Sequence, residues 1–342
     1  MNLDEKRRKV IDFLRHYNHE NDDYKKWVVL AAPARDKPNK IRVYMNGGDV
    51  GKIAINEDGV TIGINSKKYS NKYKGKVPEV VHILEEKSKS IEANRLDALI
   101  NAEYLKYAED ATIAYSANSN AADKERTIET LIMDYRNQKC GNAAIDMEMQ
   151  YSVEDLGWVK EKQKQSGHVY PINMKYKGCE WYNEEPFNDL TKAETKSPRV
   201  DLMVLNDYGI GFVELKVDNK SCKNLSSHIV HMNYIMSHQD VFIKDVDRRL
   251  SVLKEYELLE PEMNNNIEKW KDNPQIWCGI LFVGKADKLD GAKQMIKKQS
   301  NVQNIRFCFV DTSVVMERRL NMSSEVFVSK ETFISSSYHG EK

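Results

Sequence analysis

The chain has 342 residues, of which 41% are hydrophobic and 30% charged. This length predicts roughly two domains of about 150 residues each, and the apolar content suits packed cores, so the composition excludes wholesale disorder. The 52 basic residues balance the 52 acidic ones, which argues against a positive field over the whole chain that would attract nucleic acid generally.

The sequence also lacks the signals of export and membrane insertion. Its longest apolar runs fall far short of the ~20 residues of a bilayer span, and no apolar stretch follows the basic residues near Met1 as in a secretory signal. The five cysteines are scattered without a CxxC pair, which argues against a disulfide framework or a zinc knuckle. We therefore expect a soluble cytoplasmic protein with reduced thiols and no membrane association.

Residues 1–118 are predicted to form a small α+β module. Apolar residues at helical spacing predict an amphipathic helix over residues 3–17. Short strands separated by turn signals such as Pro33 and Pro38 follow at 27–32, 41–45, 51–55 and 60–64. Two helical stretches are predicted to begin near Pro78 and Asn94. We expect this module to select a substrate or a protein partner.

Helices and strands alternate in the rest of the chain, after a small polar linker at 116–123. Helices are predicted at 121–138, 223–259 with a break near His238, after 264–266, and at 288–299. Strands are predicted at 143–151, 168–176, 198–205, 209–217, 276–283 and 304–310. Because several strands are apolar on both faces, we expect an α/β (α+β) fold with a central mixed sheet flanked by helices over 119–320. The last residues, 321–342, are expected to form a loosely held tail.

The most informative stretch is a predicted hairpin, 198–217, with charges in otherwise apolar strands. Asp201 lies in its first strand, and Glu214 and Lys216 lie in its second. Residues two apart point to the same face of a strand, and buried charges are costly unless they are paired or bind a metal. We therefore expect the three side chains to meet.

Two carboxylates and an ammonium group suit one kind of chemistry. Carboxylate oxygens are ligands for Mg²⁺, which keeps several waters of its own. Such an ion can activate a water and neutralise a phosphate, and a nearby lysine can stabilise the charge that builds on the phosphate. The arrangement of Asp201, Glu214 and Lys216 thus indicates phosphodiester hydrolysis.

Asp201, twelve intervening residues and Glu214-x-Lys216 in an apolar strand resemble the PD-(D/E)XK nuclease superfamily. The order of predicted elements, with a helix, three strands, a helix and a further strand, is similar to its restriction-endonuclease-like core. The resemblance implies that Asp201, Glu214 and the Leu215 carbonyl hold the metal and that Lys216 is the catalytic lysine. It also implies a glutamate from the opening helix, a role that Glu125 or Glu129 could fill, since they lie one turn apart on one helix face.

The resemblance implies a Mg²⁺-dependent nuclease, with Mn²⁺ able to substitute, that acts most of all on DNA in restriction, phage defence or repair. The chain departs from the family pattern in placing Pro198 three positions before Asp201 and in lacking a glutamine–x₃–tyrosine motif after Lys216. The subfamily and the oligomeric state stay open. Two alternatives also stay open. The first is a catalytically silent protein of this fold that binds nucleic acid or a protein partner, and the second is an unrelated protein in which Glu214 and Lys216 form a mere ion pair.

Two further signals carry less weight. The segment 67–76 holds five lysines and two tyrosines without an acid; either a nucleic-acid contact or a solvated loop explains it. Its candidate binding residues are Lys67, Lys68, Tyr69, Lys72, Tyr73 and Lys74. The pair His228-x-x-His231 follows the hairpin; ordinary surface histidines are the preferred interpretation, with a supporting role at the site as the alternative.

Overall fold

The protein is described here from a computed structural model. The described residues are 3–15, 30–34, 37–45, 48–56, 59–63, 90–91, 106–108, 110–112, 121–150, 199–218, 225–237 and 239–336. They form two compact units, the first made of Met1–Cys140, Asp245–Asn264 and Arg318–Leu320, and the second of Gly141–Lys244, Asn265–Glu317 and Asn321–Lys342.

The first unit contains a five-stranded antiparallel sheet. Helix α1 (Leu3–Arg15) precedes the sheet in the chain. The strands are β1 (Leu30–Ala34), β2 (Lys37–Met45), β3 (Gly48–Asn56), β4 (Gly59–Gly63) and β5 (Ser90–Ile91), and they pair in chain order. Helix α2 (Ala121–Ile132) and the short helix α3 (Tyr135–Gln138) also belong to this unit.

Several predictions for the first unit are confirmed and others are corrected. The opening helix is present, and the strands predicted at 41–45 and 51–55 correspond to β2 and β3, which pair antiparallel. Pro33, however, lies inside β1 opposite Ile41 rather than in a turn. It is tolerated there because β1 is an edge strand, where a missing N–H costs no ladder hydrogen bond. The helix predicted at 121–138 ends at Ile132, and Asp134 caps α3 by accepting a hydrogen bond from the Arg136 N–H.

The second unit is built on a five-stranded mixed sheet flanked by helices, so it is an α+β unit. Its strands are β6 (Ala143–Gln150), β7 (Arg199–Asn206), β8 (Gly209–Val217), β9 (Ile276–Gly284) and β10 (Ile305–Asp311), in the spatial order β10-β9-β8-β7-β6. β6, β7 and β8 pair antiparallel, whereas β8, β9 and β10 pair parallel. Every residue of β8 and β9 is buried, as the continuous apolar sequence of β9 predicts, and β8 buries Glu214 and Lys216 among its apolar residues.

The remaining helices are α4 (Leu225–Ser237), α5 (Gln239–Glu255), α6 (Asn264–Asp272), α7 (Leu289–Lys297), α8 (Thr312–Met316) and α9 (Lys330–Ser335). Helix α4 ends at Ser237 and helix α5 begins at Gln239, and the predicted break near His238 falls on a residue outside the described ones. The strand predicted at 168–176 and the helices predicted near Pro78 and Asn94 lie mainly outside the described residues.

The prediction of a loosely held tail after residue 320 is wrong for the described part of that segment, which reaches residue 336. Phe327 packs on Trp277, with ring centroids 4.7 Å apart. Phe333 is fully buried and packs on Phe282 and Phe307. A few aromatic side chains bury enough apolar area to hold a polar segment in place, and the Ser and Thr content around them hid this signal.

Helices cover the face of β8 that carries its even-numbered residues. Phe212, on that face, meets Phe242 of α5 with ring centroids 5.8 Å apart. Cys278 of β9 pairs with Phe212 in register, and its thiol donates to the Met232 carbonyl of α4. Glu214 and Lys216 share this face, since they lie two and four residues after Phe212. None of the described helices is long and apolar enough to traverse a bilayer.

Candidate active site

Strands β7 and β8 separate from each other before either of them ends. Their antiparallel pairing extends to Leu202 opposite Val213. Beyond that pair, β7 stays with β6 as far as Arg199, and β8 stays with β9 as far as Val217. The sheet therefore divides between β7 and β8.

The residues at this division are those that the sequence singled out. Asp201 immediately precedes Leu202 in β7, and Glu214 immediately follows Val213 in β8, so both lie just beyond the last pair. Continued register places the two opposite each other, with their side chains on one face. Lys216 lies on that face two residues further along β8. We call Asp201, Glu214 and Lys216 the fork cluster.

Glu214 and Lys216 form a buried ion pair. The Lys216 Nζ donates to the Glu214 Oε1 over 2.7 Å, and the two side chains are only 3% and 4% exposed. Ion pairs withdrawn from water seldom stabilise a fold more than apolar side chains of the same size would, because both ions lose their hydration. Their position in a fully buried strand is thus poorly explained by stability alone.

Asp201 lies close enough to Glu214 for the two carboxylates to interact electrostatically. Its Oδ2 accepts a hydrogen bond of 2.8 Å from the Leu215 N–H. Burial and the neighbouring Glu214 carboxylate raise the pKa of Asp201 from 3.8 to about 7, against the opposing effects of Lys216, His228 and the Leu215 N–H. Loss of hydration is therefore the largest cause of the raised pKa, and the Glu214 charge adds to it.

His228 of α4 approaches the fork cluster from outside the sheet. Its Nδ1 lies 3.0 Å from the Glu214 Oε1, the oxygen that also contacts Lys216. The His228 side chain is 17% exposed, and His231 one turn later is buried. The preferred interpretation of both as ordinary surface histidines is therefore wrong. Their spacing suits one helix face, but only the packing of α4 on the sheet shows which way that face points.

Each fork carboxylate has one oxygen engaged by described residues and one that is not. The contacts end on Asp201 Oδ2 and on Glu214 Oε1. Asp201 Oδ1 and Glu214 Oε2 accept no hydrogen bond from the described part of the chain. Two carboxylate oxygens with spare capacity and a shared excess of negative charge are the donor set that a hard divalent cation uses.

The donor set fits Mg²⁺ better than a metal that needs a complete protein cage. Among the described residues, no group of three or more His, Cys, Asp and Glu side chains is placed to hold a metal ion. Mg²⁺ is commonly held by one or two carboxylates and keeps several of its own waters. Asp201 and Glu214 would hold it, and the predicted part of the Leu215 carbonyl stays a prediction.

The other predicted site residues belong to the first unit or lie outside the described residues. Glu129 is buried and Glu125 is partly buried, and both lie on α2 of the first unit. Their predicted participation in the metal site stays a prediction. The predicted nucleic-acid-binding segment 67–76 and its six residues lie outside the described residues.

Comparison with known proteins gives no relative: no protein-family model, curated protein or solved structure matches the chain.

Proposed function

We propose that the protein is a Mg²⁺-dependent nuclease of the PD-(D/E)XK type, with the fork cluster as its active site and DNA as its main substrate. One observation carries the proposal. Two carboxylates from adjacent strands and a lysine lie together where β7 and β8 separate, with Glu214 and Lys216 buried and Asp201 partly buried, and the carboxylates keep one oxygen each outside the hydrogen bonds made by described residues.

The residues of the fork cluster would have two roles, metal binding by the carboxylates and charge stabilisation by the lysine. A bound Mg²⁺ ion would supply an activated water and neutralise charge on the scissile phosphate. Asp201 and Glu214 offer hard oxygen ligands from neighbouring strands and would hold the ion. Lys216 brings a positive charge to the same face, where it can orient the attacking water or stabilise the negative charge that builds on the phosphate.

The order of elements supports the proposed fold type. A helix (α2) precedes three antiparallel strands (β6, β7 and β8), which are followed by a helix (α4) and a parallel strand (β9). Asp201 in the second of these strands and Glu214-x-Lys216 in the third correspond to the positions that the resemblance requires.

An activity assay tests the proposal. The pure protein is incubated with single-stranded DNA, double-stranded DNA and RNA, in Mg²⁺, in Mn²⁺ and in chelator, beside the variant Lys216→Ala. Metal-dependent cleavage of DNA that the variant loses is the expected result. Binding without cleavage would instead support a catalytically silent nucleic-acid-binding protein. If the protein neither binds nor cleaves nucleic acid, Glu214 and Lys216 are a structural ion pair in an unrelated protein.

A further inference from the structure

The contact between His228 and Glu214 joins the sheet to helix α4. Helix α4 belongs to the second unit and buries several side chains there, among them Leu225, Ile229 and Met232. The His228 ring is therefore placed by the packing of a helix, independently of the β7–β8 hairpin. Its Nδ1 nevertheless lies 3.0 Å from the Glu214 Oε1.

The contact gives one carboxylate oxygen a second close neighbour. The His228 Nδ1 lies 3.0 Å from the Glu214 Oε1, although the approach lacks the alignment of a hydrogen bond. The same oxygen accepts the hydrogen bond from the Lys216 Nζ. The Glu214 Oε1 is thus contacted by two nitrogen atoms, that of Lys216 from the strand and that of His228 from the helix.

Two contacts on one oxygen restrict the rotation of the carboxylate. With Oε1 held between Lys216 and His228, the second oxygen, Oε2, has a fixed direction and accepts no hydrogen bond from a described residue. A carboxylate whose orientation is fixed loses less conformational entropy when it binds an ion than one that turns freely.

We propose that His228 is a positioning residue of the metal site, which holds the Glu214 carboxylate in the orientation that presents Oε2 to a divalent cation shared with Asp201. This inference rests on the proposed function, since it concerns the same ion. It assigns to α4 a part in the site that the charged residues of the hairpin do not reveal. Residues that orient metal ligands commonly contribute about 10–100-fold to metal affinity.

The test measures binding of Mn²⁺ to the full chain by electron paramagnetic resonance, without nucleic acid, so that it does not depend on activity. Three variants are compared with the native protein: His228→Ala removes the contact, His228→Asn keeps an N–H donor near the position of Nδ1, and His231→Asn makes the same change one turn away. Far-ultraviolet circular dichroism confirms that each variant is folded.

The expected result is Mn²⁺ affinity about tenfold weaker in His228→Ala, largely restored in His228→Asn and unchanged in His231→Asn. Equal or tighter binding by His228→Ala would overturn the proposal, as would a His228→Asn variant no better than His228→Ala. If His228→Ala does not fold, the comparison of His228→Asn with the native protein decides, because the positioning role requires nearly native affinity. Failure of the native protein itself to bind Mn²⁺ would overturn the proposed function together with this inference, and is thereby distinguished from a failure of His228 alone.

Discussion

The two ends of the β7–β8 hairpin carry similar polar residues in opposite circumstances. At the turn, Asn206 accepts hydrogen bonds from the Tyr208 and Gly209 N–H groups and donates to the Met322 carbonyl. The Asp207 carboxylate accepts from both the backbone N–H and the hydroxyl of Ser324. At the other end, the fork cluster places Asp201 beside a second carboxylate.

The pKa values of Asp207, at the turn, and Asp201, in the fork cluster, are shifted in opposite directions. Burial acts to raise the pKa of Asp207, but the hydrogen bonds from Ser324, together with the Asp207 N–H and the charge of Lys269, outweigh it and the pKa is lowered. Burial and the charge of Glu214 instead raise the pKa of Asp201 to about 7. The comparison teaches that hydrogen bonds favour the ionised form of an aspartate at the turn, whereas burial beside a second carboxylate favours the protonated form of Asp201.

The largest effect is expected when the lysine of the fork cluster is removed. Lys216→Ala should reduce the rate of metal-dependent DNA cleavage by about 10²–10³-fold, the usual cost of losing one group that stabilises transition-state charge. Cleavage rates at saturating Mg²⁺ measure this. Asp207→Ala, at the other end of the same hairpin, is the matched control and should cleave as the native protein does. Equal losses in both variants would show that the hairpin acts only as a structural element.

Asp201→Asn should make the protein more stable at neutral pH. The unfolded chain releases the Asp201 proton near pH 3.8, whereas the folded protein keeps it to about pH 7. The free energy of unfolding of the native protein therefore falls as pH rises through this window, by up to about 1.4 kcal/mol per pH unit. Asn at this position carries no charge, and its amide oxygen can still accept the Leu215 N–H.

Since Asp201 keeps some exposure to solvent, we expect a gain of about 1–2 kcal/mol at pH 8 and almost none at pH 4. Urea unfolding followed by circular dichroism across this range measures it. A variant that is less stable than the native protein at pH 8 would contradict the assigned repulsion between Asp201 and Glu214.

The smallest effect, and the opposite dependence on pH, is expected at the turn. Asp207→Ala removes two hydrogen bonds from Ser324, and at this exposed position the loss should be about 1 kcal/mol at pH 7. Because the pKa of Asp207 is lowered in the folded state, its contribution is present above pH 3.8 and declines as pH falls through the folded pKa. The same unfolding assay at pH 7 and pH 3 checks the sign. A loss that grows at low pH would be inconsistent with a carboxylate held in its ionised form.

Local sequence pattern predicted the fork cluster because it depends on a period of two. Glu214 and Lys216 are two residues apart, and one tight turn sets Asp201 opposite them, so strand geometry alone predicts that they meet. The separation of β7 from β8 at Leu202 was not predicted, because pairing ends where each strand finds another neighbour, and that depends on the whole sheet.

Contacts between elements that are distant in the chain were the ones missed. His228 reaches Glu214 only through the packing of α4 on the sheet, which the spacing of its apolar residues does not specify. Phe333 is held by Phe282 and Phe307, and single aromatic residues in a polar segment carry no periodic signal. Pro33 was assigned to a turn because sequence alone does not show that β1 is an edge strand.

The central claim is that Asp201 and Glu214 share one divalent cation, and calorimetric titration of Mg²⁺ into the native protein and into Asp201→Asn tests it most directly. The account predicts one ion per chain at pH 8 and none in the variant. Below pH 7 the ion must displace the Asp201 proton, so affinity should weaken by up to about tenfold per pH unit. Absence of Mg²⁺ binding to the native protein at pH 8, or equal binding by Asp201→Asn, would contradict the claim.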